Sequence, residues 1–162
     1  MGAAARKAVD AACSDAVDTV QPVRETRELF ALVAQAGIEL RWARLRPYFN
    51  GVYLWDPPKP PYIYLDVDLL DEPVVLRAVL AEELGHHFTR GASVGWETRA
   101  FWWAVDYLVL ERDLGALIRQ GATLWEMSDR LQVPVLWVRR KLERAGAWWY
   151  ACGRGAWSVE GG

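Results

Sequence analysis

Apolar positions along the chain fall into blocks of different period. Residues 23–35 repeat at helical spacing, with Leu29, Phe30, Leu32 and Val33 on one side and Gly37 as the stop. Ile38-Glu39-Leu40-Arg41-Trp42 then alternates with period two, as a half-buried strand does. Asn50-Gly51 marks a turn, and residues 52–55 pair as the next strand. Pro57, Pro58, Pro60 and Pro61 around Lys59 make a stiff connector. Residues 62–67 are rich in strand formers and predict a third strand. Pro73 after Asp71-Glu72 opens a helix, since proline suits the first helical position. That helix is predicted to reach about residue 88.

After a loop with Gly91 and Gly95, a helix is predicted from about residue 96 to 110. A further helix covers 114–119 and stops at Gly121. Residues 124–131 and 135–145 form two short helices around the turn Gln132-Val133-Pro134, a helix-turn-helix pattern. The predicted class is therefore α+β, mostly helical with a small three-stranded sheet. Residues 1–121 form one domain and 122–162 a helical subdomain with a tail. Residues 1–22 are read as a flexible arm or an extra helix.

Composition narrows this picture. The 162 residues are 52% hydrophobic, enough for one real core. No apolar run approaches the ~20 residues of a membrane span. Arg6, Lys7, Asp10 and Asp15 interrupt the Ala-rich start, so it lacks a signal-peptide core. Cys13 and Cys152 are too few for a disulfide framework. Together these predict a cytoplasmic protein without a membrane partner. The formal net charge of −2 argues against coating nucleic acid, leaving one local basic cluster, Arg139-Arg140-Lys141 with Arg144. The ten tryptophans are expected mainly to fill core and interfaces.

The candidate chemistry lies in Leu80-Ala81-Glu82-Glu83-Leu84-Gly85-His86-His87-Phe88. It holds both histidines of the chain, four residues after two adjacent glutamates. Residues i and i+4 share a helical face, so Glu82/His86 and Glu83/His87 are two candidate frames. In the H-E-x-x-H arrangement a glutamate follows the first ligand and serves as general base. The Glu82/His86 frame puts Glu83 there; the other frame puts Leu84 there, which cannot take a proton. Carboxylate oxygen and imidazole nitrogen both bind zinc. The added oxygen character moves preference toward harder ions such as manganese.

A third ligand must be Cys, Asp or Glu. Glu97 is the best placed, because it shares a predicted helix face with Ala100, Phe101, Ala104, Val105 and Leu108 and is expected to point inward. Asp66 and Asp68 are weaker, as strand-end aspartates expected to meet solvent. His87 is read as a packed or hydrogen-bonded supporting residue. Gly85, costly in mid-helix, implies close approach of another backbone or a substrate.

The run from Leu80 to Thr89 resembles the active-site helix of ImmA/IrrE-type metallopeptidases. Glu97-Thr98-Arg99-Ala100-Phe101-Trp102-Trp103-Ala104 resembles their downstream E-x-x-A-x-x-W/F-A helix. The 124–142 unit, with Val133-Pro134 and Val138-Arg139-Arg140-Lys141-Leu142, resembles the helical region that follows. The likeness spans roughly residues 25–145. Where the family usually has histidine, this chain has Glu82, as in a phage-type subset with E-E-x-G-H.

The resemblance implies a zincin-like minimal peptidase with zinc, or alternatively manganese, on Glu82, His86 and Glu97, and Glu83 as base. It implies limited proteolysis of a helix-turn-helix repressor, relieving repression in a phage, mobile element or stress response. Two other readings stand beside it. One is an inactive peptidase fold that binds a repressor. The other is a DNA-binding regulator using residues 124–142, although the family context makes nucleic acid an unlikely direct ligand.

Overall fold

The computed structural model describes residues 25–46, 48–90 and 95–147. The expectations for residues 1–22, Cys13, Cys152 and the Trp-rich tail lie outside these. The described chain is mixed α+β: six α-helices and one three-stranded sheet. No helix among the described residues is long and apolar enough to cross a membrane.

The first element among the described residues is α1 (Thr26–Gln35), which Gly37 ends with φ +66°. Strands β1 (Glu39–Ala43), β2 (Gly51–Leu54) and β3 (Tyr62–Asp66) follow. A 3-10 turn over Val67–Asp71 leads into α2 (Pro73–Phe88), which starts with proline in its first turn, where the missing N–H costs no bond. Then come α3 (Trp96–Leu108) and α4 (Glu111–Arg119). The last two are α5 (Leu124–Leu131) and α6 (Val135–Arg144).

The strand order is β1-β3-β2. The second strand pairs antiparallel with the third, Tyr53 opposite Ile63. The first pairs with the third in parallel, Leu40 opposite Ile63. β3 takes the centre because it alone buries whole apolar side chains, Ile63 and Leu65. β2 is left as an antiparallel edge lying against α2.

α2 is the central helix. Leu76, Leu80, Ala81 and Leu84 are buried, and so are Arg77, Glu83, His86 and His87. Its densest packing is with α3. Gly85 is the reason the two can come so close. A Cβ there would stand 2.9 Å from Ala100 Cα and closer still to its carbonyl oxygen. The expected close approach at Gly85 is thus a backbone.

One buried cluster runs from Leu29 through Leu84 and Val105 to Leu142, so α5 and α6 share the core of the preceding elements. Arg77 ties them to α2. Its Nη1 donates to the Leu131 and Gln132 carbonyls at 2.9 and 3.0 Å.

The tryptophans depart from expectation. Of those described, only Trp137 is buried, whereas Trp42, Trp55, Trp96 and Trp125 are exposed. Leucine, valine and alanine from α2 and α3 already fill the interior, so the indoles cover its margins.

Candidate metal and proton-transfer site

Two polar groups sit on adjoining flanks of α2. One faces α3 and the other faces β2.

On the α3 flank, His86 Nε2 lies 3.4 Å from Glu97 Oε2. The imidazole is buried, and its ring centroid is 4.6 Å from that of Trp96. Glu97 comes from the first turn of α3, but its side chain remains 65% exposed. It is therefore a rim residue rather than the inward-pointing one expected. Leading α3 from its first turn, it reaches His86 over the helix end instead of through the packed face of Ala100 and Ala104. Glu82, one helical turn before His86, is half-buried and makes no hydrogen bond or ion pair among the described residues. Burial and the Glu97 charge push its carboxyl up.

Burial lowers the His86 pKa against the pull of Glu97, favouring neutral imidazole. Its Nδ1 is buried without a hydrogen-bond partner among the described residues. If neutral His86 carries its proton on Nδ1, the Nε2 lone pair faces the Glu97 carboxylate. Two acceptors then face each other, an arrangement that a cation between them would relieve.

On the β2 flank, Glu83 is 8% exposed. Burial pushes its carboxyl up to about 8; Glu82 and Glu97 add to this, while a hydrogen bond from the Tyr53 backbone N–H opposes it. Gly51 makes room for the carboxylate, since a Cβ there would be 2.8 Å from Glu83 Oε1. His87 Nδ1 lies 3.1 Å from Tyr53 Oη and 2.9 Å from Arg90 Nη1. Burial and then Arg90 lower the His87 pKa. His87 is thus packed and hydrogen-bonded on the β2-facing flank, away from the His86–Glu97 pair.

The donor set suits a divalent ion. Two ligands held at about 2.0–2.2 Å in a tetrahedral site stand about 3.3–3.6 Å from each other. His86 Nε2 and Glu97 Oε2 have that separation. Glu82, on the same helical face as His86, would be the third donor, through a carboxylate oxygen. Among the described residues no three His, Cys, Asp or Glu side chains already form a closed metal-holding group, so Glu82 must swing in to complete the set.

The other aspartate candidates do not converge here. Asp66 is buried rather than solvated as expected, and accepts from the Asp68 and Leu45 backbone N–H groups at 2.9 and 2.6 Å. These bonds hold its pKa below the usual carboxylate range. Its work is to fasten the loop after β1. Asp68 is exposed.

Sequence reasoning missed Tyr53, Arg90, Gly51 and Trp96. Period-two alternation places Gly51 and Tyr53 on one face of β2, but nothing local says that this face meets α2. Trp96 stands directly before Glu97, and only the fold brings it to His86. Comparison with known proteins finds no family model that matches this chain and no curated protein that matches it.

Proposed function

We propose that this chain is a metal-dependent endopeptidase. Glu82, His86 and Glu97 hold zinc, with manganese as the alternative, and Glu83 is the general base. The observation that carries this reading is the pairing of His86 Nε2 with Glu97 Oε2 at 3.4 Å across two helices. It joins a buried neutral donor to a carboxylate at metal-ligand spacing, with Glu82 and Glu83 beside it.

When bound, the metal supplies Lewis acidity at the scissile carbonyl and the attacking water. Glu83 takes the water's proton and delivers it to the leaving amine. Glu82 and Glu97 raise its proton affinity, and bound cation would lower it, so the base is tuned between the two. The sequence resemblance supplies the substrate class, a helix-turn-helix repressor.

The DNA-binding reading is less well supported, because the basic cluster is engaged within the molecule. Lys141 Nζ lies 2.5 Å from Asp106 Oδ1, and Arg144 bonds the same oxygen. Arg139 and Arg140 both face Glu143.

Metal analysis of protein purified without chelator tests the site. Near-stoichiometric zinc or manganese is expected, lost in Glu82→Ala, His86→Ala and Glu97→Ala. Glu83→Gln should keep the metal and lower repressor cleavage by about 10²–10⁴-fold. Metal-free protein that also takes up no added zinc or manganese would sink the reading. Metal binding without cleavage in the wild type would favour the non-cutting, repressor-binding alternative.

A further inference from the structure

The β2 rim of the site carries groups that neither ligand binding nor proton transfer uses. Arg90, just past the end of α2, sets Nη1 against the His87 ring, 2.9 Å from Nδ1 and 3.4 Å from Nε2, and the same nitrogen lies 3.5 Å from Tyr53 Oη. A guanidinium only donates. The imidazole that anchors Arg90 carries no compensating negative charge.

Several other surface arginines face a carboxylate: Arg27 faces Glu25, Arg41 faces Glu39, and Arg139 faces Glu143. Among the described residues no carboxylate pairs with Arg90. Nη1 is engaged, and among the described residues no other acceptor bonds the guanidinium. The guanidinium carbon sits 4.8 Å from the ring centroid of Trp55. That indole is 50% exposed and follows directly on the edge strand β2. Tyr53 and Trp55 are two positions apart, so the first is held at His87 while the second carries Arg90 at the open rim.

We infer that Arg90 and Trp55 form a subsite for an acidic side chain of the bound peptide. The guanidinium takes the carboxylate, in the bidentate geometry that pairs these groups. The indole covers the aliphatic part of the same side chain. His87 and Tyr53 hold the arginine in place without neutralising it. This rests on the endopeptidase reading for the origin of the peptide, whereas the subsite itself needs only a bound chain near β2.

The test uses the full chain loaded with zinc or manganese and a set of internally quenched peptides of mixed sequence. One residue is stepped through the positions flanking the scissile bond as Asp, Asn or Lys. At one position Asp should exceed Asn by about tenfold in kcat/KM. Arg90→Gln should bring that ratio near one, and Arg90→Glu should move it toward Lys. A wild type that cuts without any acid preference overturns the subsite. So does an Arg90→Gln variant that slows all peptides equally, which would make Arg90 a positioning residue for His87.

If no peptide is cut, the endopeptidase reading fails and binding decides the subsite separately. The probes are a blocked Gly-Asp-Gly peptide and its Gly-Asn-Gly counterpart. Their readout is the Trp55 indole cross-peak, identified by Trp55→Phe. A shift with the acidic peptide alone, lost in Arg90→Gln, supports the subsite. No shift, or the same shift with both peptides, overturns it.

Discussion

Two charged clusters stand out in this sequence, and the fold treats them in opposite ways. On α6, Lys141 and Arg144 converge on Asp106, and the Arg144 guanidinium lies 4.0 Å over the Trp102 ring. The cations there have found partners, and the cluster fastens α6 to α3. Where α2 meets α3 and β2, Glu82 and Glu83 of α2 and Glu97 of α3 crowd their charges beside a buried histidine, with no cation among the described residues to balance them. Like charges crowd there at a cost to folding. A charge run thus becomes a functional candidate when folding leaves it unsatisfied, and a structural fastening when folding pairs it.

The sharpest way to break this contrast is to move α3 off α2 without changing a charged residue. Gly85→Val does so, because its side chain would collide with the Ala100 backbone, which cannot rotate away. Overpacking at a backbone contact costs about 3 kcal/mol. The variant should melt well below wild type. Any folded fraction should also show weaker zinc affinity, since Glu97 would stand farther from His86. Unchanged zinc affinity in a destabilised variant would mean that Glu97 is not a ligand.

A second test sharpens the electrostatic half of the contrast. In metal-free protein the Glu83 carboxyl is raised from 4.5 to about 8. The folded state then keeps its proton longer than the unfolded state, so stability falls as pH rises from 4.5 and the loss is complete above 8. His86 and His87 have lowered values, so their penalty falls on the acid side of their ordinary 6.5. Between 6.5 and 8 the Glu83 loss predominates, about 2 kcal/mol. Thermal melts with chelator should drop across this window and level off in Glu83→Gln. Added zinc should restore stability in the wild type. A flat wild-type profile would mean that Glu83 is solvated and not held under strain.

Much of the fold was legible because local signals agreed. The predicted limits of α2 and α5 match the structure, as Pro73 and the turn at Gln132-Val133-Pro134 act on their own neighbours. Strand order was not legible. Sequential strands suggest a hairpin, but the burial of Ile63 and Leu65 places β3 between β1 and β2. In the site, the i/i+4 relation brought Glu82 and His86 to one flank and Glu83 and His87 to the other. Glu97 was found by its helix face, yet its exposure depends on where α3 begins against α2. Tyr53 and Arg90 were hidden because they reach His87 from a separate strand and from beyond the helix end. Asp66 was misjudged because its two backbone donors, Leu45 and Asp68, are supplied by a loop whose path the sequence does not announce.

The smallest expected effects test the paired side of the contrast. Lys141 is 4% exposed, and its ammonium meets Asp106, with Glu111 3.9 Å away. Asp106→Asn keeps the shape but removes the charge, leaving a buried ammonium with weaker compensation. The expected cost is about 1–2 kcal/mol. Lys141→Met keeps the buried aliphatic stem and removes the charge that needed a partner. Asp106 retains Arg144, so the cost should stay below about 1 kcal/mol. Chemical denaturation of both variants measures the order. If Lys141→Met proves the costlier change, the ammonium does more than balance Asp106, and α6 has unsatisfied chemistry of its own. If Asp106→Asn is costlier, the cluster is a fastening, and α2 alone keeps charge in reserve for a ligand.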